Sequence, residues 1–180
     1  MTYPQHVASC DPSSDKQAVA HWWTGGLYIL EFTRGETFNY TPNVFVCEAM
    51  RVYPGPKKED PNDLIAVSEG AGGMITRCRM NNPMVQIVRY TAPDWKGQIK
   101  KPIHHQRLWD VLNNDERRVV SGAINYTIPQ IEAYLKNACH KLAVTGEVKE
   151  YSWAAHNLFD AIGLGLFFLK RTTKGGCVRR

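Results

Sequence analysis

The sequence predicts an α/β fold, a mixed sheet flanked by helices, and three observations carry that expectation. Through the first fifty residues apolar positions alternate in short runs separated by Gly, Asn, Asp and Pro. A loop rich in Pro and Lys and a helical stretch then lead to one more short β-rich run. Beyond about residue 100 the apolar residues recur at helical spacing instead. With 180 residues, 43% hydrophobic and 22% charged, the chain has material for one ordinary core. No internal repeat or low-complexity linker divides it, so residues 1–180 read as a single domain with a basic tail from about residue 170.

Taken in order, 6–10 is a short strand that runs into Asp11, and 17–23 alternates and is rich in Ala, Val and Trp. Thr24-Gly25-Gly26 makes a turn and 27–33 resumes the pattern, which gives a three-stranded antiparallel meander. Residues 43–47 form a compact β-rich run, a buried central strand that ends at Glu48. Residues 51–61 hold three prolines, one glycine and two lysines, an exposed loop. Asp60-Pro61-Asn62-Asp63 then supplies helix-start chemistry before Leu64, Ile65, Val67, Ala71, Met74 and Ile75, spaced for one helical face. Another strand covers 84–90, closed by Thr91-Ala92-Pro93, and a loop with Trp95 and several basic residues follows. Helices are expected over 102–112, 129–142 and 152–171. Three antiparallel strands followed by a βαβ-like continuation is the order of the ribonuclease H fold.

Composition narrows the function. The longest apolar run, 162–169, is eight residues with two glycines, far short of the roughly 20 of a spanning helix. The start, MTYPQHVASCDPSSD, shows no basic region followed by an apolar stretch, so a cytoplasmic protein is expected. Five scattered cysteines with no Cys-x-x-Cys pair argue for reduced thiols and against a zinc site. Twenty-two basic against 17 acidic residues give a net charge of +5. Lys96, Lys100, Lys101 and Arg107 cluster mid-chain, and Lys170, Arg171, Lys174, Arg179 and Arg180 crowd the tail. Such clustering favours nucleic acid as the partner.

Three acids stand where chemistry can use them. Asp11 and Glu48 each follow a strand, and Cys10 and Cys47 before them point to the opposite, packed face. Asp160 lies among Leu158, Phe159, Ala161 and Ile162, where an unpaired carboxylate is costly and needs a partner. Gly163 and Gly165 would let its helix sit close to the sheet, and His156 and Asn157 share the Asp160 face. Hard divalent cations take carboxylate oxygens and water, and a pair of them can stabilise both attacking and leaving oxygens of a phosphodiester. Each acid also has a bland reading: Asp11 as an Asx-turn residue, Glu48 as a solvated strand end, and Asp160 as a buried acid satisfied by His156.

At these residues the chain resembles the RuvC-type Holliday junction resolvases, in particular their short bacteriophage versions. The matching stretches are ASCDPSSDKQAVAHW at 8–22, VFVCEAMRVYPGPKKEDPNDLIAVSEGAGGMI at 44–75, YTAPDWKGQIKKPIHHQRL at 90–108 and SWAAHNLFDAIGLGLFFLKR at 152–171. The resemblance implies a ribonuclease H-like fold, a homodimer, Mg²⁺ or Mn²⁺ with two ions per site, and cleavage of branched DNA, four-way junctions above all. Asp11, Glu48 and Asp160 would be metal ligands. Longer family members place an acid or histidine where this chain has Asn157, so either His156 or Asn157 would be the fourth catalytic group, and proton chemistry favours His156. Only residues 34–42 separate the third strand from the fourth, which leaves no room for the helix found there in ribonuclease H proteins.

DNA contacts are expected from Tyr53, Lys57 and Lys58 in the Pro-Gly loop, with Tyr53 stacking on an unpaired base. Trp95, Lys96, Lys100, Lys101, His104, His105 and Arg107 form a second basic stretch suited to the DNA backbone. A restriction-type reading of Pro93-Asp94 with Glu147-Val148-Lys149 is discounted because 53 residues separate its parts. The competing class is a nucleic-acid-binding protein that has kept the fold and lost catalysis.

Overall fold

The computed structural model describes residues 5–13, 15–49, 60–146 and 155–177. Five strands form one mixed sheet in the order β3-β2-β1-β4-β5. Strands β1 (His6–Asp11), β2 (Gln17–Trp23) and β3 (Gly26–Thr33) make the antiparallel meander, with Asp11 opposite Ala18 and a register shift at His21/Trp22. β4 (Val44–Glu48) lies parallel to β1 with Cys10 opposite Cys47, and β5 (Gln86–Tyr90) lies parallel to β4 with Glu48 opposite Tyr90. This is the ribonuclease H-like arrangement expected from the strand pattern.

Period-two alternation divides the sheet into two packed faces. On one, Ala8, Cys10, Val19, Phe45 and Cys47 meet Met74, Ile75 and Cys78 of α1 (Pro61–Asn81). α1 starts as its sequence predicts, with Asp60 accepting from the Asn62 amide and Pro61 at the first position. Between β3 and β4 only a 3-10 turn, Gly35–Thr37, forms, and Phe38 packs beneath α1 in the space left by the absent helix.

On the other face Val7, Ala18, Ala20, Trp22, Val44 and Val46 meet α6 (His156–Phe168), which is buried along its length from Leu158 to Leu166. Its approach is close: the Ser9 hydroxyl donates to the Ala161 carbonyl at 2.8 Å and accepts from the Trp22 indole at 2.8 Å. A Cβ on Gly165 would overlap the Trp22 ring and come within 2.6 Å of Ser9 Oγ. α3 (Lys101–Val111), α4 (Asn114–Ile124) and α5 (Ile128–Thr145) complete this layer.

Two helices exceed the sequence expectation. α4 starts at a capping box, Asn113 accepting from the amides of Asp115 and Glu116. The four-residue α2 (Ala92–Trp95) occupies what reads as a loop, with Asp94 accepting from both the Thr91 amide and hydroxyl. The basic tail is described as far as residue 177. Arg171 forms a two-pronged ion pair with buried Glu116 and donates to the carbonyls of Gly25 and Val111, so it joins the β2–β3 turn to α4. The Gly175 amide donates to Trp95 O, which fixes the segment against α2.

Candidate active site

Asp11 and Glu48 end adjacent parallel strands and, by alternation, stand on the α6 side of the sheet while Cys10 and Cys47 fill the α1 side. Asp160 sits one turn into α6, 4% exposed. The three carboxylates act on one another: the charges of Asp160 and Glu48 both raise the pKa of Asp11, and the charge of Asp160 raises that of Glu48.

Asp160 is answered by α2 and α3. Its Oδ1 lies 2.6 Å from Lys96 Nζ and 3.1 Å from His105 Nε2, and its Oδ2 lies 3.2 Å from Lys101 Nζ. Glu48 Oε2 accepts from the Trp95 indole at 3.1 Å. Trp95 and Lys96 are consecutive residues at the end of α2, so one short helix serves two of the acids.

These neighbours set unequal acidities. Burial pushes Asp11 well above the usual carboxylate range, the charges of Asp160 and Glu48 add to this, and Lys96 and Lys101 oppose it. Burial also raises Glu48, against Lys96. Asp160 goes the other way: burial opposes its charge, but the His105 hydrogen bond and the charges of Lys96, His105 and Lys101 outweigh it and hold its carboxyl well below the usual range. An extra proton in this cluster therefore resides on Asp11 and not on Asp160.

The basic stretch is placed differently from the DNA surface expected of it. Trp95, His104 and His105 are buried at 1%, 0% and 0% exposure, because they fill the space between the sheet end and α6. His105 stacks on Phe159 with ring centroids 5.2 Å apart, and burial lowers its pKa. His104 is pushed down to about 3, by burial first and then by Lys96. Among the described residues neither His104 ring nitrogen meets hydrogen-bond geometry with a partner, and the Gly175 backbone only weakly favours its charged form. Lys100 donates to the Gly146 carbonyl at the end of α5, and Arg107 donates to Gly175 O at 3.3 Å. Lys101, with its side chain 44% exposed, keeps a path to solvent. Tyr53, Lys57 and Lys58 lie outside the described residues, as does Glu147-Val148-Lys149.

His156 and Asn157 open α6, both half-buried, and share the turn before Asp160. His105, 55 positions earlier in sequence, is hydrogen-bonded to Asp160, which the local pattern around Asp160 does not signal. The signal was the cost of burying Asp160, which called for donors, together with the density of Lys and His at 96–105.

No protein-family model matches the sequence, and no curated protein sequence does. Among solved structures, the chain is similar to Thermus thermophilus RuvC in complex with a Holliday junction substrate, at 12% identity, TM-score 0.43 and 90% coverage of both chains. It is also similar to a second Thermus thermophilus RuvC structure, at 12% identity and TM-score 0.37, covering 89% of this chain and 91% of that one.

The donor set fits a divalent cation at one end only. Asp11 and Glu48 are hard oxygen donors whose shared negative charge is unfavourable without a cation. Asp160 has both oxygens engaged by nitrogen donors. Among the described residues no group of three or more His, Cys, Asp or Glu is arranged to hold a metal ion. Among the described residues no helix is long and apolar enough to cross a membrane.

Proposed function

We propose that the chain is a metal-dependent, structure-selective endonuclease that resolves Holliday junctions and other branched DNA by paired nicks, acting as a homodimer. The observation that carries this reading is the meeting of Asp11, Glu48 and Asp160 beside two lysines at one end of a ribonuclease H-like sheet. Isolated turn acids do not gather in this way. The substrate class follows from the resemblance of four sequence segments to the junction resolvases.

Mg²⁺ or Mn²⁺, when bound, supplies an activated water and neutralises charge on the phosphate. The chain's own residues do the rest. Asp11 and Glu48 offer the carboxylate oxygens for the cation, and Trp95 fixes the orientation of Glu48 by its indole hydrogen bond. Asp160 holds Lys96 and Lys101 at the site, so positive charge faces the backbone before DNA arrives. His156, in the turn before Asp160, is assigned the proton transfer near the leaving oxygen.

The test compares a labelled four-way junction, a fork, a flap and a linear duplex in Mg²⁺ and in EDTA. Mg²⁺-dependent, symmetric nicks in the junction with the linear duplex left intact are expected. Tight junction binding with no nicking in any divalent ion would favour the second reading, a binding protein of the same fold. That reading draws on the engagement of both Asp160 oxygens.

A further inference from the structure

We infer that Lys96 takes the place of a second metal ion, so that the acid cluster holds one divalent cation, at Asp11 and Glu48, and not two. The inference rests on the nuclease reading above and deepens it. Its first support is the occupancy of Asp160. A carboxylate offers about four lone-pair positions, and three of those on Asp160 are taken by Lys96, Lys101 and His105 in a side chain 5% exposed. Mg²⁺ needs oxygen ligands at about 2.0–2.1 Å. On Oδ1 such an ion would share its oxygen with an ammonium 2.6 Å away, with little water to screen the two.

Lys96 is also held as a built-in charge and not as a wandering surface chain. Its side chain is only 13% exposed, and it caps the C-terminal end of α2. The helix is anchored by Trp95, buried at 1% and bonded to Glu48. The Lys96 ammonium lies 5.3 Å from the Trp95 ring centroid, within cation–π range. Lys101 has no such enclosure, since its side chain is 44% exposed.

Charge balance points the same way. Counted at full ionisation, three carboxylates against the Lys96 and Lys101 ammonium groups leave one negative charge. One divalent cation converts this to a single positive charge, the complement of one phosphodiester. Two would leave three positive charges in a half-enclosed site. Lys96 therefore gives the site part of its cationic character without drawing a second ion from solution.

The experiment is a Mn²⁺ titration of the full chain, read by electron paramagnetic resonance and calorimetry, for wild type, Lys96→Met and Lys96→Arg, with junction cleavage assayed on the same preparations. One Mn²⁺ per chain in wild type and Lys96→Arg, rising to two in Lys96→Met, is the expected result. Two ions in a wild type that cuts junctions would overturn the inference and leave the nuclease reading standing. No ion in a wild type that does not cut would overturn both. One ion in a folded Lys96→Met would remove Lys96 as the substitute. Should Lys96→Met fail to fold, the wild-type count still decides between one ion and two.

Discussion

Asp11 and Asp160 bring the same side chain to the same cluster and acquire opposite acidities, because α2 and α3 aim their cations and His105 at only one of them. The sign of their effects on stability follows. Asp11 binds its proton more tightly folded than unfolded, so its contribution is lost as pH rises through the ordinary carboxylate range toward its raised folded value. Asp160 contributes stability above the ordinary range, and this is lost as pH falls through its lowered value. In EDTA at neutral pH, Asp11→Asn should therefore melt higher than wild type, by roughly 2–4 °C per kcal/mol relieved. The difference should close below about pH 3.9, where Asp protonates in the unfolded chain. Calorimetry across pH checks this, and a lower Tm for Asp11→Asn at neutral pH would contradict the assignment. A second residue-scale prediction concerns the turn before Asp160. His156→Ala should lower the cleavage rate by roughly 100-fold and flatten its pH profile, the usual scale for a proton-transfer group, while Asn157→Ala should keep the wild-type profile. Full activity in His156→Ala with a crippled Asn157→Ala would make the amide the fourth group.

At the scale of elements, the sheet was legible because alternation and turn residues mark strands directly: β2 begins and ends where its QAVAHWW run does. The opposite-face placement of Cys10 and Cys47 relative to the two acids followed from the same period. α4 was not legible, since its Asn-Asn-Asp-Glu start looks like a polar loop until the capping box is recognised. α2 was hidden by its four-residue length, although Thr91 followed three residues later by Asp94 is its signature. The destinations of Lys96 and His105 depend on α2 and α3 folding back over α6, which no local pattern encodes. Close packing of α6 makes a paired prediction. Gly165→Ala should cost about 1–3 kcal/mol through overlap with Trp22 and Ser9. Gly72→Ala on α1 meets nothing within 4 Å and should stabilise by up to about 1 kcal/mol from helix propensity. Denaturant melts of the two variants distinguish them, and equal effects would mean that α6 is not pressed on the sheet as described.

For the whole molecule, the proposed function predicts a symmetric dimer, since the two-fold symmetry of a four-way junction calls for two sites. Trp109 is buried at 1% in the core and is not available for such a contact. Large apolar residues exposed on the described surface include Ile65, Met80 and Met84 on and after α1, Trp23 and Phe32 on β2 and β3, and Val144 in α5. Sedimentation of the chain with a junction should give a two-to-one complex, and a persistent one-to-one complex at micromolar concentration would contradict it. The central claim, that Asp11, Glu48 and Asp160 form a nuclease site, is tested most directly by cleavage of a labelled four-way junction in Mg²⁺ by wild type, Asp11→Asn, Glu48→Gln and Asp160→Asn, with binding measured in parallel. Each variant should lose at least about 100-fold in rate while binding the junction as tightly as wild type or tighter, since less negative charge meets the phosphates. Wild-type cleavage by any of the three would remove that residue from the site, and no cleavage by the wild type itself would contradict the account.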